Sequence, residues 1–98
     1  MNKANLEAMK KELYEAIVRV DSVEGCVEFL EDLCSFKEVE KMAQRVIAAR
    51  LLMEGKTYAQ VIAETEISSA TLSRVSRCVQ YGKGYAKYIK PLNTDKKE

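Results

Sequence analysis

The sequence predicts an all-α fold of short helices, and three observations carry that prediction. Apolar residues recur at spacings of three and four along almost the whole chain. No segment shows the apolar/polar alternation of a half-buried strand. Capping residues stand just ahead of the periodic runs, at Ser22, Ser35, Thr57 and Ser68, and Gly55 stands just after one of them. With 98 residues, no repeats and no low-complexity tracts, the chain suits a single domain.

The elements follow in order. Leu6, Met9, Leu13, Ile17 and Val20 form an apolar stripe over residues 5–20. Asp21-Ser22 interrupts it and can cap a second helix, with Val23, Val27, Leu30 and Cys34 as its stripe. Ser35, with Glu38 three residues on, makes a capping-box pair for a third helix. That helix carries Val39, Met42, Ala43, Val46 and Ile47, runs to Met53 and stops at Gly55. Thr57 and Gln60 make a second such pair, and Val61 and Ile62 give the fourth helix an inward face. Ile67 is the expected buried residue of a tight turn. Ser68 then caps a fifth helix beginning at Ser69, whose inner stripe is Leu72, Val75 and Val79. Past Gly82, the residues Tyr85, Tyr88 and Ile89 suit one more short helix before Pro91, and the polar stretch 93–98 is expected to fray.

The fourth and fifth helices with their turn make a helix-turn-helix. The outer face of the fifth offers Ser69, Ala70, Thr71, Ser73, Arg74 and Arg77, which are small, hydroxyl-bearing or basic. Such a face can approach phosphates and base edges closely, where bulky acids would not. The run Ser68-Ser69-Ala70-Thr71-Leu72-Ser73-Arg74-Val75 resembles the second half of the helix-turn-helix of lac-type repressors. It departs at Glu66, where that pattern usually has glycine. Either Glu66 takes the left-handed conformation at a cost, or the turn is built differently. The competing reading is an ordinary helical hairpin with a serine cap.

Charge is distributed unevenly. Residues 1–54 hold eight Lys/Arg against eleven Asp/Glu, and residues 55–98 hold eight against four. Within 67–94 stand Arg74, Arg77, Lys83, Lys87 and Lys90, and no acid. A basic face over an acidic scaffold suits duplex DNA, although a solvated basic tail would look the same on charge alone. Cys26, Cys34 and Cys78 are three, without zinc-type pairing, and read as buried reduced thiols. Histidine is absent, and Gly82-Lys83-Gly84 alone is no phosphate loop, so no catalytic constellation and no metal site are expected. No stretch is apolar enough to span a bilayer and none has the form of a leader, so a cytoplasmic protein without membrane contact is expected.

Taken with the third helix, the likeness becomes more particular. The run Ser35-Phe36-Lys37-Glu38-Val39-Glu40-Lys41-Met42-Ala43-Gln44-Arg45-Val46-Ile47, then Leu51-Leu52-Met53-Glu54-Gly55, then the hairpin, resembles the Trp repressor family. Within that family it resembles the YerC/YecD group more closely than the tryptophan repressor, over roughly residues 23–80. The resemblance implies an intertwined homodimer. Residues 1–34 would be dimerisation helices, 35–54 a central helix, 57–81 the helix-turn-helix and 82–98 a basic tail. It also raises a ligand question. In the tryptophan repressor two arginines sandwich the indole and hold the carboxylate, and Arg45 and Arg74 stand at the matching positions. Arginine planes suit both tasks. Ser35 matches a hydroxyl residue near that ligand. Cys78 replaces the serine that meets the amino group, and a thiol is a poorer partner. The chain is also one residue shorter near Gly55–Thr57. The two arginines can equally be structural, pairing with Glu38, Glu40 or a carbonyl.

These readings point to a sequence-specific DNA-binding transcriptional regulator, of repressor type, acting as a homodimer on double-stranded DNA. No cofactor is called for by the residues themselves; a small-molecule corepressor of unknown identity, if one acts, would bind at Ser35, Arg45, Arg74 and Cys78. Ser68, Ser69, Ala70, Thr71 and Ser73 are the candidates for base-edge or water-mediated contact. Ala59 and Gln60 are placed for phosphate or base contact, and Arg77 and Lys83 for phosphate. The alternative is a helical protein-interaction module without specific DNA binding. Large aromatics and arginines would favour that reading, and the small polar face does not.

Overall fold

The structure, a computed structural model, describes residues 2–91, and all its elements there are helices: α1 (Lys3–Arg19), α2 (Val23–Leu33), α3 (Phe36–Met53), α4 (Tyr58–Thr65), α5 (Ser69–Tyr81) and α6 (Gly84–Tyr88). The expected fraying of 93–98 lies outside the described residues. Two compact units divide the chain, residues 1–36 and residues 37–98.

In the first unit, local capping decides where helices begin. Asn2 accepts a hydrogen bond from the Asn5 backbone N–H at 2.9 Å and starts α1 two residues earlier than the apolar stripe alone suggests. Ser22 does the same for α2 through the Gly25 N–H, also at 2.9 Å. The predicted stripes are present as helix faces, but neither helix contains a buried residue. Leu6, Met9, Ile17, Val23 and Val27 are exposed, as are Val18 at 80% and Phe36 at 78%. The thiols also differ from expectation: all three are free, but Cys26 is exposed and Cys34 and Cys78 are only half-buried. Periodicity identifies the apolar side of a helix. It does not say that the same chain covers it.

The second unit holds the core. Ala48, Ala49 and Leu51 of α3, Val61 of α4, Ile67 of the turn, and Leu72 and Val75 of α5 form one buried cluster. Leu52, Ile62, Val79, Tyr85 and Ile89 pack around it. On α3 the buried positions are not the stripe residues Val46 and Ile47, which are exposed, but Ala48, Ala49 and Leu51 after them. Alanine on the contact side lets neighbouring helices approach closely, and it carries too little apolar weight to stand out in a hydrophobicity pattern.

Helix α3 ends in a Schellman motif. The Lys56 N–H donates to the Leu51 carbonyl and the Gly55 N–H to the Leu52 carbonyl, both at 3.0 Å. Gly55 takes φ 92°, which its missing side chain permits. Arg50 and Glu54, paired at 3.1 Å across the last turn, lie on the same segment. At the far end of α5, a Cβ on Gly82 would sit 2.7 Å from the Cys78 carbonyl oxygen. That position therefore needs glycine for α5 to stop and α6 to begin.

Leu72 is fully buried at the centre of this cluster. Leu72→Ala should lower unfolding stability by about 2–5 kcal/mol, the cost of lost transfer energy plus a cavity. Chemical denaturation of the two proteins measures it, and a loss under about 1 kcal/mol would show that the cluster is not the core.

Candidate nucleic-acid interface

The hairpin is assembled from short-range hydrogen bonds that hold two helices at a fixed turn. At the start of α4, the Thr57 N–H donates to Gln60 Oε1 at 2.8 Å and the Gln60 N–H donates to Thr57 Oγ1 at 3.2 Å, a complete capping box. At its end, Glu66 takes the left-handed conformation with φ 62° and ψ 20° and donates its N–H to the Ile62 carbonyl. Of the two ways to build the turn without glycine, the chain uses the strained one. The left-handed region costs a side-chain-bearing residue about 1–2 kcal/mol.

Several contacts offset that cost. The Thr65 hydroxyl donates to the Val61 carbonyl at 2.8 Å and accepts from the Ile67 N–H at 3.2 Å. Gln44 of α3 donates its side-chain amide to the Thr65 carbonyl at 3.1 Å. Ile67 is buried against Val61, Leu72 and the α3 alanines. The Ser68 hydroxyl then accepts from the Thr71 N–H at 3.2 Å and donates to Thr71 Oγ1 at 3.0 Å. Ser68 is thus committed to capping α5, and it orients the Thr71 hydroxyl beside it.

With Leu72 and Val75 turned inward, the opposite side of α5 is open. Ser69, Ala70, Ser73, Arg74 and Arg77 are exposed and Thr71 is half-buried. Ala59 and Gln60 are exposed on the first turn of α4, and Lys83 is exposed beyond α5. Gln60 uses its side-chain oxygen in the capping box. Its amide nitrogen is the part suited to an outside acceptor.

A second feature lies beside this face. A cleft of about 630 Å³ is lined by Arg45 of α3, by Ala70, Thr71, Arg74, Val75 and Cys78 of α5, and by Tyr85 of α6. Arg45, Arg74 and Cys78 are therefore brought together, as the family resemblance implied. Ser35 is exposed and belongs to the first unit. Among the described residues, the ion pairs join Lys10 to Glu7, Lys11 to Glu15 and Arg50 to Glu54, and none of these engages Arg45 or Arg74. Sequence reasoning missed Tyr85 as a wall of the cleft. Its only signal was the spacing of four to Ile89, which places both on one side of α6.

Comparison with known proteins agrees with this architecture. The family model described as Trp repressor protein matches residues 8–93. The chain belongs to the Trp repressor family. This is a family of regulators, not of enzymes. Among its relatives, the uncharacterised YerC protein of Bacillus subtilis (strain 168) is 44% identical over 71 residues, which are 72% of this chain and 68% of that protein. A crystal structure of a candidate Trp repressor from Staphylococcus aureus superposes with a TM-score of 0.77 at 36% identity, covering 88% of each chain. A TrpR-like protein from Eubacterium eligens gives 0.75 at 35% identity, covering 79% of this chain and 80% of the other. Among the described residues, no cluster of His, Cys, Asp or Glu could hold a metal ion. No helix there is long and apolar enough to cross a membrane.

The turn can be tested by substitution. Thr65→Val removes both hydroxyl bonds at nearly constant shape and should cost about 1–2 kcal/mol in urea unfolding, with the Ile67 N–H left unpaired. Glu66→Gly should act in the other direction, raising stability by roughly 0.5–1 kcal/mol as left-handed strain is relieved. A destabilised Glu66→Gly variant would show that Glu66 is held by something other than the need for a left-handed residue.

Proposed function

We propose that this member of the Trp repressor family is a homodimeric, sequence-specific DNA-binding regulator of repressor type, inserting α5 of each subunit into a major groove. The observation that carries this reading is the exposed small, polar and basic outer face of α5. It is presented by a turn and caps that leave little freedom in the angle between α4 and α5. Ser69, Ala70, Thr71 and Ser73 are assigned to base edges or to waters on them. Ala59, Gln60, Arg77 and Lys83 are assigned to phosphates and flanking edges. Ser68 contributes by capping and by orienting Thr71.

The homodimer is supported by the first unit. Two helices without a fully buried residue in the single chain, which expose Leu6, Met9, Ile17, Val18, Val23 and Val27, call for a covering surface. A second copy supplies one symmetrically. Half-sites would then lie about one helical turn apart, roughly 34 Å, a spacing general to helix-turn-helix dimers, the tryptophan repressor among them.

The Arg45–Arg74 cleft supports a small-molecule corepressor. Two guanidiniums outside any ion pair, with the Tyr85 ring beside them, favour a planar acid held by stacking and bidentate hydrogen bonds. Because Cys78 is a weak hydrogen-bond partner, an α-amino group should add little. Aromatic carboxylic acids with and without that group should therefore shift DNA affinity similarly, and Arg45→Met should abolish the response while keeping basal binding. Fluorescence anisotropy with a panel including L-tryptophan checks this, and a large preference for the amino acid would contradict the assignment of Cys78.

For DNA itself, selection from a randomised duplex pool should yield a two-fold symmetric site bound with steep salt dependence. Thr71→Glu should lose that specific binding, at least tenfold, with helical content unchanged by circular dichroism. Near-normal affinity of the variant would remove α5 from the groove. Absence of binding to any duplex at low salt, with capture of a protein partner instead, would favour the interaction module.

A further inference from the structure

Three helices line the Arg45–Arg74 cleft, and they are not held alike. Two of them carry the core, with Ala48, Ala49 and Leu51 on α3 and Leu72 and Val75 on α5. The third, α6, contains no buried residue. It spans the five residues Gly84–Tyr88, and Lys83 at its N-cap makes no side-chain hydrogen bond to it. A helix of that length is not stable by itself in water. What keeps α6 in place is the packing of Tyr85 and Ile89, both half-buried, against the core of the second unit.

The joint before it is built to move. Gly82 makes the corner at the end of α5, and Gly84, two residues on, is the first residue of α6. A Cβ at Gly84 would meet no atom within 4 Å, so packing does not demand glycine there. Its effect is to widen the backbone freedom of the joint and so to lower the cost of opening it. Tyr85 meanwhile touches both the core and the cleft. A planar ligand between it and Arg45 would give the ring a stacking partner and tie α6 to α3 and α5.

We propose that α6 is the movable wall of the corepressor cleft, closing the Tyr85 ring over a bound planar acid and opening about the Gly82–Gly84 joint to release it. The proposal rests on the corepressor reading above and deepens it: Arg45 and Arg74 take the acid, and Tyr85 selects for the ring. Closure and binding are then one linked equilibrium, and whatever favours the closed α6 raises affinity.

The chain contains no tryptophan, so the fluorescence of an indole acid reports its own binding to the DNA-free protein. The probe is indole-3-propionate, with L-tryptophan and hexanoate as competitors. G84A should bind it about two- to fivefold more tightly, because alanine restricts the open joint more than the closed helix. Y85F should stay within about twofold. Y85L, which keeps an apolar side chain on the core, should lose about three- to tenfold, together with the preference for indole over hexanoate. Circular dichroism verifies that both keep their helical content. Hydrogen exchange reads the motion itself. The N–H groups of Lys87 and Ile89 donate to the Lys83 and Tyr85 carbonyls at 3.1 and 3.0 Å. In the free protein they should exchange faster than that of Leu72, and saturating probe should slow them at least tenfold. Unchanged affinity in G84A or in Y85L, or exchange at Lys87 and Ile89 indifferent to the probe, overturns the movable wall and leaves the corepressor reading standing. If none of the acids binds, or Arg45→Met binds them as the wild type does, the corepressor reading and the movable wall fail together.

Discussion

The second unit depends on how a left-handed turn is held without glycine. Glu66 sits at φ 62°, and this one conformation sets the direction in which α5 leaves α4. The strain is local, while its compensation is spread over three elements: the Thr65 hydroxyl within α4, the Gln44 amide reaching from α3, and the burial of Ile67. Each of these contributes on the order of 1 kcal/mol or more, so together they exceed the cost of the turn. A turn bound to α3 in this way moves with the core and not as a free loop. That is what a reading helix needs, since a surface that must fit a groove loses affinity if it has to be ordered on binding.

Rigidity on one side of α5 accompanies openness on the other. Leu72 and Val75 anchor the helix, and on its other side Ser69, Ala70 and Ser73 face solvent with side chains too small to hold a neighbouring surface at a distance. The same helix supplies Ala70, Thr71, Arg74 and Cys78 to the cleft shared with Arg45 and Tyr85. A ligand in that cleft would touch Ala70 and Thr71 themselves, so the coupling proposed between cleft and groove-facing surface needs no long-range transmission. The first unit makes a different demand. Its helices leave apolar faces exposed in the single chain, and covering them is the part given to the proposed homodimer.

Much of this was legible in the sequence. The hairpin boundaries followed from Thr57, Gln60 and Ser68, because capping is a short-range effect with a fixed spacing. The pairing of Arg45 with Arg74 came from the family resemblance alone, since no spacing rule brings positions 29 residues apart into one cleft. Three features stayed hidden for physical reasons. The burial of Ala48 and Ala49 depends on how closely the helices pack, which a small side chain does not announce. The exposure of Val46, Val23 and Val27 depends on what covers a helix, and periodicity reports only which side wants covering. The hydrogen bond from Gln44 to the turn joins residues 21 apart, and glutamine on a helix face signals nothing in particular.

The most direct test of the central claim is a map of backbone amide shifts on titrating isotope-labelled protein with the selected duplex. The account predicts the largest changes at Ser69, Ala70, Thr71, Ser73 and Arg77, with smaller ones at Ala59 and Gln60. Changes confined to residues 3–33, with α4 and α5 silent, would contradict it.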